Sequence, residues 1–151
     1  MSITALMKQF CQARERLAKY RIRDTGDYAE ILVAKALCAE RNTSGVQKGY
    51  DLLCKKRGRI EVRCRVLPRD GRNEDRLEIP KAKINGFDVF AGVLFDADLS
   101  VIGGFTLPHG ETIALASAGN EKYLRIPFHR GVVHPKATNI TSRLKKAQRN
   151  L

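Results

Sequence analysis

Residues 49–65 read GYDLLCKKRGRIEVRCR and predict two short β-strands joined by a tight turn. A three-residue loop, Lys56-Arg57-Gly58, closes such a hairpin when its glycine adopts the left-handed conformation. The loop fixes the register, because the side chains on each face must pair across the two strands. Three apolar pairs follow on one face: Tyr50 with Cys64, Leu52 with Val62, and Cys54 with Ile60.

The opposite face of this predicted hairpin is charged. Asp51 is expected opposite Arg63, with Glu61 diagonal to Asp51 and within cross-strand reach. An acid on one strand and a Glu-x-basic triplet on the next can hold a divalent metal ion against a phosphodiester. The alternative is an Asp51–Arg63 ion pair on a solvated face, worth about 0.2–1 kcal/mol. Leu53 shares the charged face and favours a partly covered site.

This arrangement resembles the PD-(D/E)xK nuclease superfamily, with Asp51 as the lone acid and Glu61-Val62-Arg63 in place of (D/E)-x-K. The resemblance extends to an upstream acid, Glu30, on a predicted helix and to the apolar strand 88–95, and so covers roughly residues 24–108. Two departures stand out. The motif lysine is replaced by Arg63, and no proline precedes Asp51.

The resemblance implies an endodeoxyribonuclease that requires Mg²⁺ or Mn²⁺. Asp51 and Glu61 would be the metal ligands, with Glu30 either a third ligand or a surface carboxylate. Arg63 would contact the phosphate, because a guanidinium with a pKa above about 12 cannot act as a base. Lys48 or Lys55 could supply the missing amine. The alternative is a catalytically degenerate protein that keeps the fold and only binds DNA or RNA.

The order of predicted elements fits the α/β class, a central mixed β-sheet flanked by helices with a restriction-endonuclease-like core. An amphipathic helix over 3–20 and a more apolar helix from Asp24 to Arg41 precede the hairpin. A strand over 88–95 is apolar throughout, as expected when both faces are buried, and its partner covers 99–107. Residues after 120 are expected to be irregular until a basic helix over 138–148. The whole chain, 1–151, is predicted to be a single nuclease-like domain.

The net charge of +12 lies at the two ends: residues 1–23 sum to +5 and residues 122–151 to +8, which leaves −1 for the centre. A basic N-terminal helix and a basic C-terminal tail around a nearly neutral centre that holds the acids predict a nucleic-acid partner, with double-stranded DNA favoured. Solubility alone is the simpler explanation of the charge. The predicted nucleic-acid contacts are Lys81, Lys83, Arg143, Lys145, Lys146 and Arg149, of which Lys81 and Lys83 could equally form a solvated face.

The sequence gives weaker evidence on the cellular location and the oligomeric state of the protein. No apolar run approaches the ~20 residues of a membrane span, and the N-terminus lacks an export signal. The four cysteines are widely spaced, which predicts reduced thiols and a cytoplasmic protein. No membrane partner is expected. Both a monomer and a homodimer are compatible with the sequence.

Overall fold

The computed structural model describes residues 1–42, 49–70, 76–119, 121–128 and 134–151. Its helices are α1 (Ile3–Ala18), α2 (Thr25–Leu37), α3 (His109–Leu115) and α4 (Thr141–Arg149), with a 3₁₀ turn at Lys81–Lys83. Its strands are β1 (Glu40–Arg41), β2 (Leu52–Cys54), β3 (Gly58–Val66), β4 (Arg76–Pro80), β5 (Val89–Phe95), β6 (Val101–Pro108), β7 (Ser117–Ala118), β8 (Tyr123–Pro127) and β9 (Thr138–Asn139).

The described strands form two sheets. Six of them pair in the order β1-β2-β3-β5-β6-β9, and three pair in the order β4-β8-β7. β3 and β5 are parallel, whereas the other neighbours are antiparallel, so the larger sheet is mixed. A mixed α/β sheet flanked by helices was the predicted class, and it is confirmed. No helix in the described ranges is both long and apolar enough to cross a membrane.

Both faces of the larger sheet are buried because side chains alternate along its central strands. Ala91, Val93 and Phe95 of β5 pack with α2 and α4 in one apolar cluster. Phe90 and Leu94 point the other way and pack with residues of the smaller sheet in a second cluster. The continuous apolar run of β5 is therefore that of a strand covered on both sides, as predicted.

The hairpin forms, but its register differs from the predicted one by two residues. Leu52 pairs with Ile60 and Cys54 with Gly58, so the connecting turn is 55–57. Gly58 has φ +76° as expected, but it begins β3 instead of closing the loop. A two-residue shift preserves the face of each side chain, so Leu52, Cys54, Ile60 and Val62 remain buried together. Tyr50 packs against the second cluster, on the other side of a bend at Asp51.

Two other boundaries depart from the sequence prediction. α2 ends at Leu37 because Cys38 adopts the left-handed conformation, φ +53°, and Glu40–Arg41 then pairs as strand β1. The C-terminal region was expected to be irregular before its helix. It instead contributes β8 to the smaller sheet and β9 to the edge of the larger one.

Candidate functional site

The observed register brings Asp51 and Glu61 together. Both carboxylates lie at ion-pair distance from one lysine, whereas the predicted register had placed Arg63 opposite Asp51. The Asp51 backbone N–H donates to the Ile60 carbonyl at 2.9 Å. Its carboxylate Oδ2 accepts from the Val62 N–H at 2.8 Å. Two hydrogen bonds to β3 thus hold Asp51, and its Oδ1 is left for other partners.

Glu61 is fully buried although it carries a carboxylate, with 0% of its surface exposed. It lies beside Phe90 in the parallel pairing of β3 with β5. Its Oε1 accepts a hydrogen bond from Arg63 Nη2, whereas its Oε2 has no hydrogen-bond partner within the described structure. Buried carboxylate oxygens are rarely left unsatisfied, and such an atom is commonly explained by a functional role or a bound ion.

Lys83 is the cation shared by the two acids. Its Nζ lies 3.6 Å from Asp51 Oδ1 and 3.6 Å from Glu61 Oε1. From the sequence, Lys83 was predicted either to contact nucleic acid beside the site or to belong to a solvated face. Its place between the acids could not be predicted, because the 3₁₀ turn that carries it follows a strand of the other sheet. Of the two amines proposed from sequence, Lys55 is exposed in the hairpin turn and Lys48 lies outside the described residues.

A contact between two glycines holds the Lys83 segment against the Asp51 segment. A Cβ built on Gly86 would lie 2.4 Å from both Cα and O of Gly49, so the two backbones approach too closely for any side chain. Gly49 has φ +112°, a further requirement for glycine. The 3₁₀ turn and the start of the hairpin are therefore fixed relative to each other beside the acids.

We expect Gly86→Ala to separate Lys83 from the two carboxylates and to reduce stability by about 1–3 kcal/mol, as overpacking does elsewhere. Gly110→Ala is the matched control, since no atom lies within 4 Å of a Cβ at that helical position. Urea unfolding of both variants measures the difference. Equal stability of the two variants would show that the glycine contact does not constrain the chain.

The environment of Glu61 favours its protonated form. Burial, followed by the negative charge of Asp51, raises the pKa of Glu61 to about 7, although Arg63 and Lys83 act in the opposite direction. Burial and the charge of Asp51 also raise the pKa of Glu30. Asp51 thus raises the pKa of both glutamates, and a cation beside them would lower it.

The raised pKa of Glu61 makes stability depend on pH in a definite direction. Between its ordinary pKa of 4.5 and about 7, the folded protein holds more protons than the unfolded chain, so stability falls as pH rises through this range. We expect Glu61→Gln to flatten that slope. Urea unfolding at several pH values from 5 to about 8 measures it. A slope that is as steep in the variant as in the parent would assign it to other groups.

Glu30, the predicted third ligand, is paired with an arginine of β1. Its Oε2 accepts from Arg41 Nε at 3.1 Å and from Arg41 Nη2 at 3.0 Å, and Arg41 also reaches Asp27 at 3.3 Å. Across the described ranges, no group of three or more His, Cys, Asp or Glu side chains is arranged to hold a metal ion. The acids that the structure does bring together are Asp51 and Glu61.

The predicted nucleic-acid contacts fall on two different surfaces. Lys81 and Lys83 belong to the 3₁₀ turn beside the acids. Arg143, Lys145, Lys146 and Arg149 are exposed on α4, whose Leu144 and Ala147 are buried. α4 packs on the face of the larger sheet that carries Val62 and Val93, the face opposite to that of Glu61. The C-terminal segment is therefore a core helix with a basic outer surface, and not a free tail.

Comparison of the chain with models of known protein families and with curated protein sequences finds no match.

Proposed function

We propose that this protein is a metal-dependent phosphodiesterase, an endonuclease of the PD-(D/E)xK type that acts on double-stranded DNA. The observation that supports it best is the position of Lys83, whose Nζ lies 3.6 Å from a carboxylate oxygen of both Asp51 and Glu61. Two acids and a lysine are the side chains that the motif requires. In this chain the amine comes from position 83 and not from position 63.

The oxygen atoms of the two acids suit a Mg²⁺ ion. Glu61 Oε2 has no hydrogen-bond partner in the described structure, and Asp51 Oδ1 faces Lys83 at ion-pair distance. Mg²⁺ in phosphoryl-transfer sites is bound by one or two carboxylates and otherwise keeps its waters. A third protein ligand is therefore not required. The metal would supply charge neutralisation at the phosphate and an acidified water.

Each protein group then has a distinct role. Asp51, held by the Val62 N–H, and Glu61, held by Arg63, orient the ligand oxygens. Lys83 supplies an amine that can exchange a proton with the attacking water, which the Arg63 guanidinium cannot do. Arg63 keeps the charge of Glu61 compensated and can donate to a phosphate oxygen. The Arg63 side chain is 29% exposed, so part of it can reach a bound phosphate.

The DNA contacts follow from charge and position. Lys81 is an exposed member of the turn that carries Lys83, and it can contact the phosphate next to the scissile one. The four basic residues of α4 would contact a more distant part of the duplex, because they lie on the opposite face of the sheet. Binding through such contacts is independent of sequence and falls steeply with salt.

A binding protein without catalysis is the second candidate, and a specific observation favours it. Arg63 and Lys83 already offset the charges of Asp51 and Glu61 through ion pairs. In that case Lys83 is a fixed substitute for the metal, and the site needs no divalent cation. The two candidates therefore differ in their response to Mg²⁺.

Thermal unfolding with and without Mg²⁺ separates them. If the acids bind Mg²⁺, the parent melting temperature should rise on the order of 5 °C at a large excess of metal over its Kd. Asp51→Asn should show no rise. Glu111→Gln, on α3, should retain it, because Glu111 pairs with Lys136 and with no residue of the site. A parent melting temperature indifferent to Mg²⁺ and Mn²⁺ would instead support the binding protein.

A further inference from the structure

Helix α1 presents an apolar stripe that the described part of the protein does not cover. None of its residues is buried, and the exposed fraction is 53% for Phe10 and 51% for Leu6. Large apolar side chains aligned on one exposed helix face are typical of a surface that docks a partner. Most of the stability of a helix in a protein comes from packing of its apolar face, so a partner would also stabilise α1 itself.

The stripe has the spacing of a helix-packing seam. Ile3, Phe10 and Leu17 recur every seven residues and correspond to position a of a heptad. Leu6, Ala13 and Tyr20 repeat with the same spacing at position d. The seam spans little more than two heptads, which is short for a coiled coil that forms on its own. Stable docking therefore needs additional apolar surface.

That surface lies at the C-terminal end of the seam, in a cavity of about 470 Å³. Leu17 and Ile22 line it, together with Tyr28 of α2 and Leu99 of the β5–β6 turn. The Ile22 N–H donates to the Leu17 carbonyl at 3.1 Å, and Arg21 adopts φ +56°. These features form a Schellman-type C-cap, which fixes the direction in which α1 leaves the body. The seam and the cavity thus form one continuous surface.

Leu99 is held in an unfavourable backbone conformation in the wall of this cavity. Its φ of +63° is rare for a residue without a short polar side chain. Gln148 Nε2 donates to the Leu99 carbonyl at 2.7 Å and to the Tyr28 hydroxyl at 2.9 Å, and so links α4, the turn and α2. The surrounding structure maintains a strained residue whose side chain lines this cavity.

The charges beside the seam indicate what covers it. The guanidinium of Arg14 lies 5.5 Å from the ring centroid of Phe10 and so within the stripe, and Arg16 lies along its other border. Residues 1–23 sum to +5. In a pair of α1 copies, Arg14 and Arg16 would find no carboxylate, because the other e and g positions of the helix are Met7 and Gln9. A partner with carboxylates at the matching positions would be attracted.

We propose that α1 and the adjoining cavity bind an amphipathic helix of a different protein, with leucine-type residues along its seam and acidic residues on both borders. The partner helix packs along Leu6, Phe10 and Leu17, and one of its apolar side chains enters the cavity. Its acidic residues pair with Arg14 and Arg16. This interaction does not depend on the proposed nuclease activity.

The full chain can be tested with a synthetic helical peptide of about three heptads that carries leucine at a and d and glutamate at e and g. Fluorescence anisotropy should show saturable binding. A peptide with lysine at e and g should bind at least tenfold more weakly. Phe10→Gln and Arg14→Glu should each weaken binding of the acidic peptide at least tenfold. Lys8→Glu, the same charge change away from the stripe, should reduce it less than threefold.

Several results would overturn the proposal. One is equal binding of the two peptides, and another is an effect of Lys8→Glu as large as that of Arg14→Glu. Sedimentation that shows a dimer dissociated by Phe10→Gln would assign the seam to a second copy. Binding of α1 to phosphatidylglycerol vesicles, lost in Phe10→Gln with no binding of the acidic peptide, would assign it to a membrane surface. Circular dichroism must show unchanged helix content in each variant.

Discussion

Lys83→Met is expected to reduce Mg²⁺-dependent plasmid cleavage by about 10²–10⁴-fold, the contribution of a positioned acid–base group. The reason is geometric, since Lys83 is the described amine that lies 3.6 Å from both carboxylates. Methionine has a similar length and lacks the charge. Lys8→Met, on the exposed helix α1, is the matched control and should cleave like the parent.

A second variant distinguishes the role of the amine from a structural role. If an amine is what the site requires, Arg63→Lys in the Lys83→Met background should restore part of the activity, because position 63 also faces Glu61. If Arg63→Lys restores no activity and the melting temperatures are unchanged, the site requires the amine at position 83 itself. Full activity of Lys83→Met alone would remove Lys83 from the mechanism.

Deletion of residues 136–151 is expected to abolish cooperative folding. The segment contributes Ile140, Leu144 and Ala147, which are almost completely buried against α2 and β6. Truncating a buried leucine to alanine costs about 2–5 kcal/mol, and a domain has only about 5–15 kcal/mol in total. Leu144→Ala alone should therefore lower the free energy of unfolding by about 2–5 kcal/mol in urea titrations.

The matched control changes only the outer surface of α4. Replacing Arg143, Lys145, Lys146 and Arg149 with glutamine leaves Leu144 in place, so stability should stay within about 1 kcal/mol of the parent. If α4 contacts DNA phosphates, the salt dependence of binding should become shallower, by up to 3 to 4 in log–log slope. An unchanged slope would show that α4 does not touch the DNA.

Local patterns predicted much of the fold. The apolar run that became β5 and the amphipathic spacing of α1 each depend on neighbours in sequence, and both elements lie where they were expected. The face of each hairpin residue was also correct, because a two-residue shift of register preserves it. The register itself was wrong, since a glycine with positive φ can end the loop or begin the next strand.

The composition of the candidate site depended on contacts that no local pattern encodes. Lys83 reaches Asp51 through the Gly49–Gly86 backbone contact, which joins segments more than 30 residues apart. Arg41 pairs with Glu30 because α2 ends early at Cys38 and the chain turns back as β1. A lysine near a glycine after a short turn is too common a pattern to indicate the contact between Lys83 and Asp51.

Cleavage of supercoiled plasmid by the purified chain, with Mg²⁺ or Mn²⁺ and with EDTA, tests the central claim most directly. The two-carboxylate site with Lys83 predicts nicked and linear products that require the metal and disappear in Asp51→Asn. Intact plasmid after long incubation with either metal, from a parent protein that folds cooperatively and binds DNA, would contradict it.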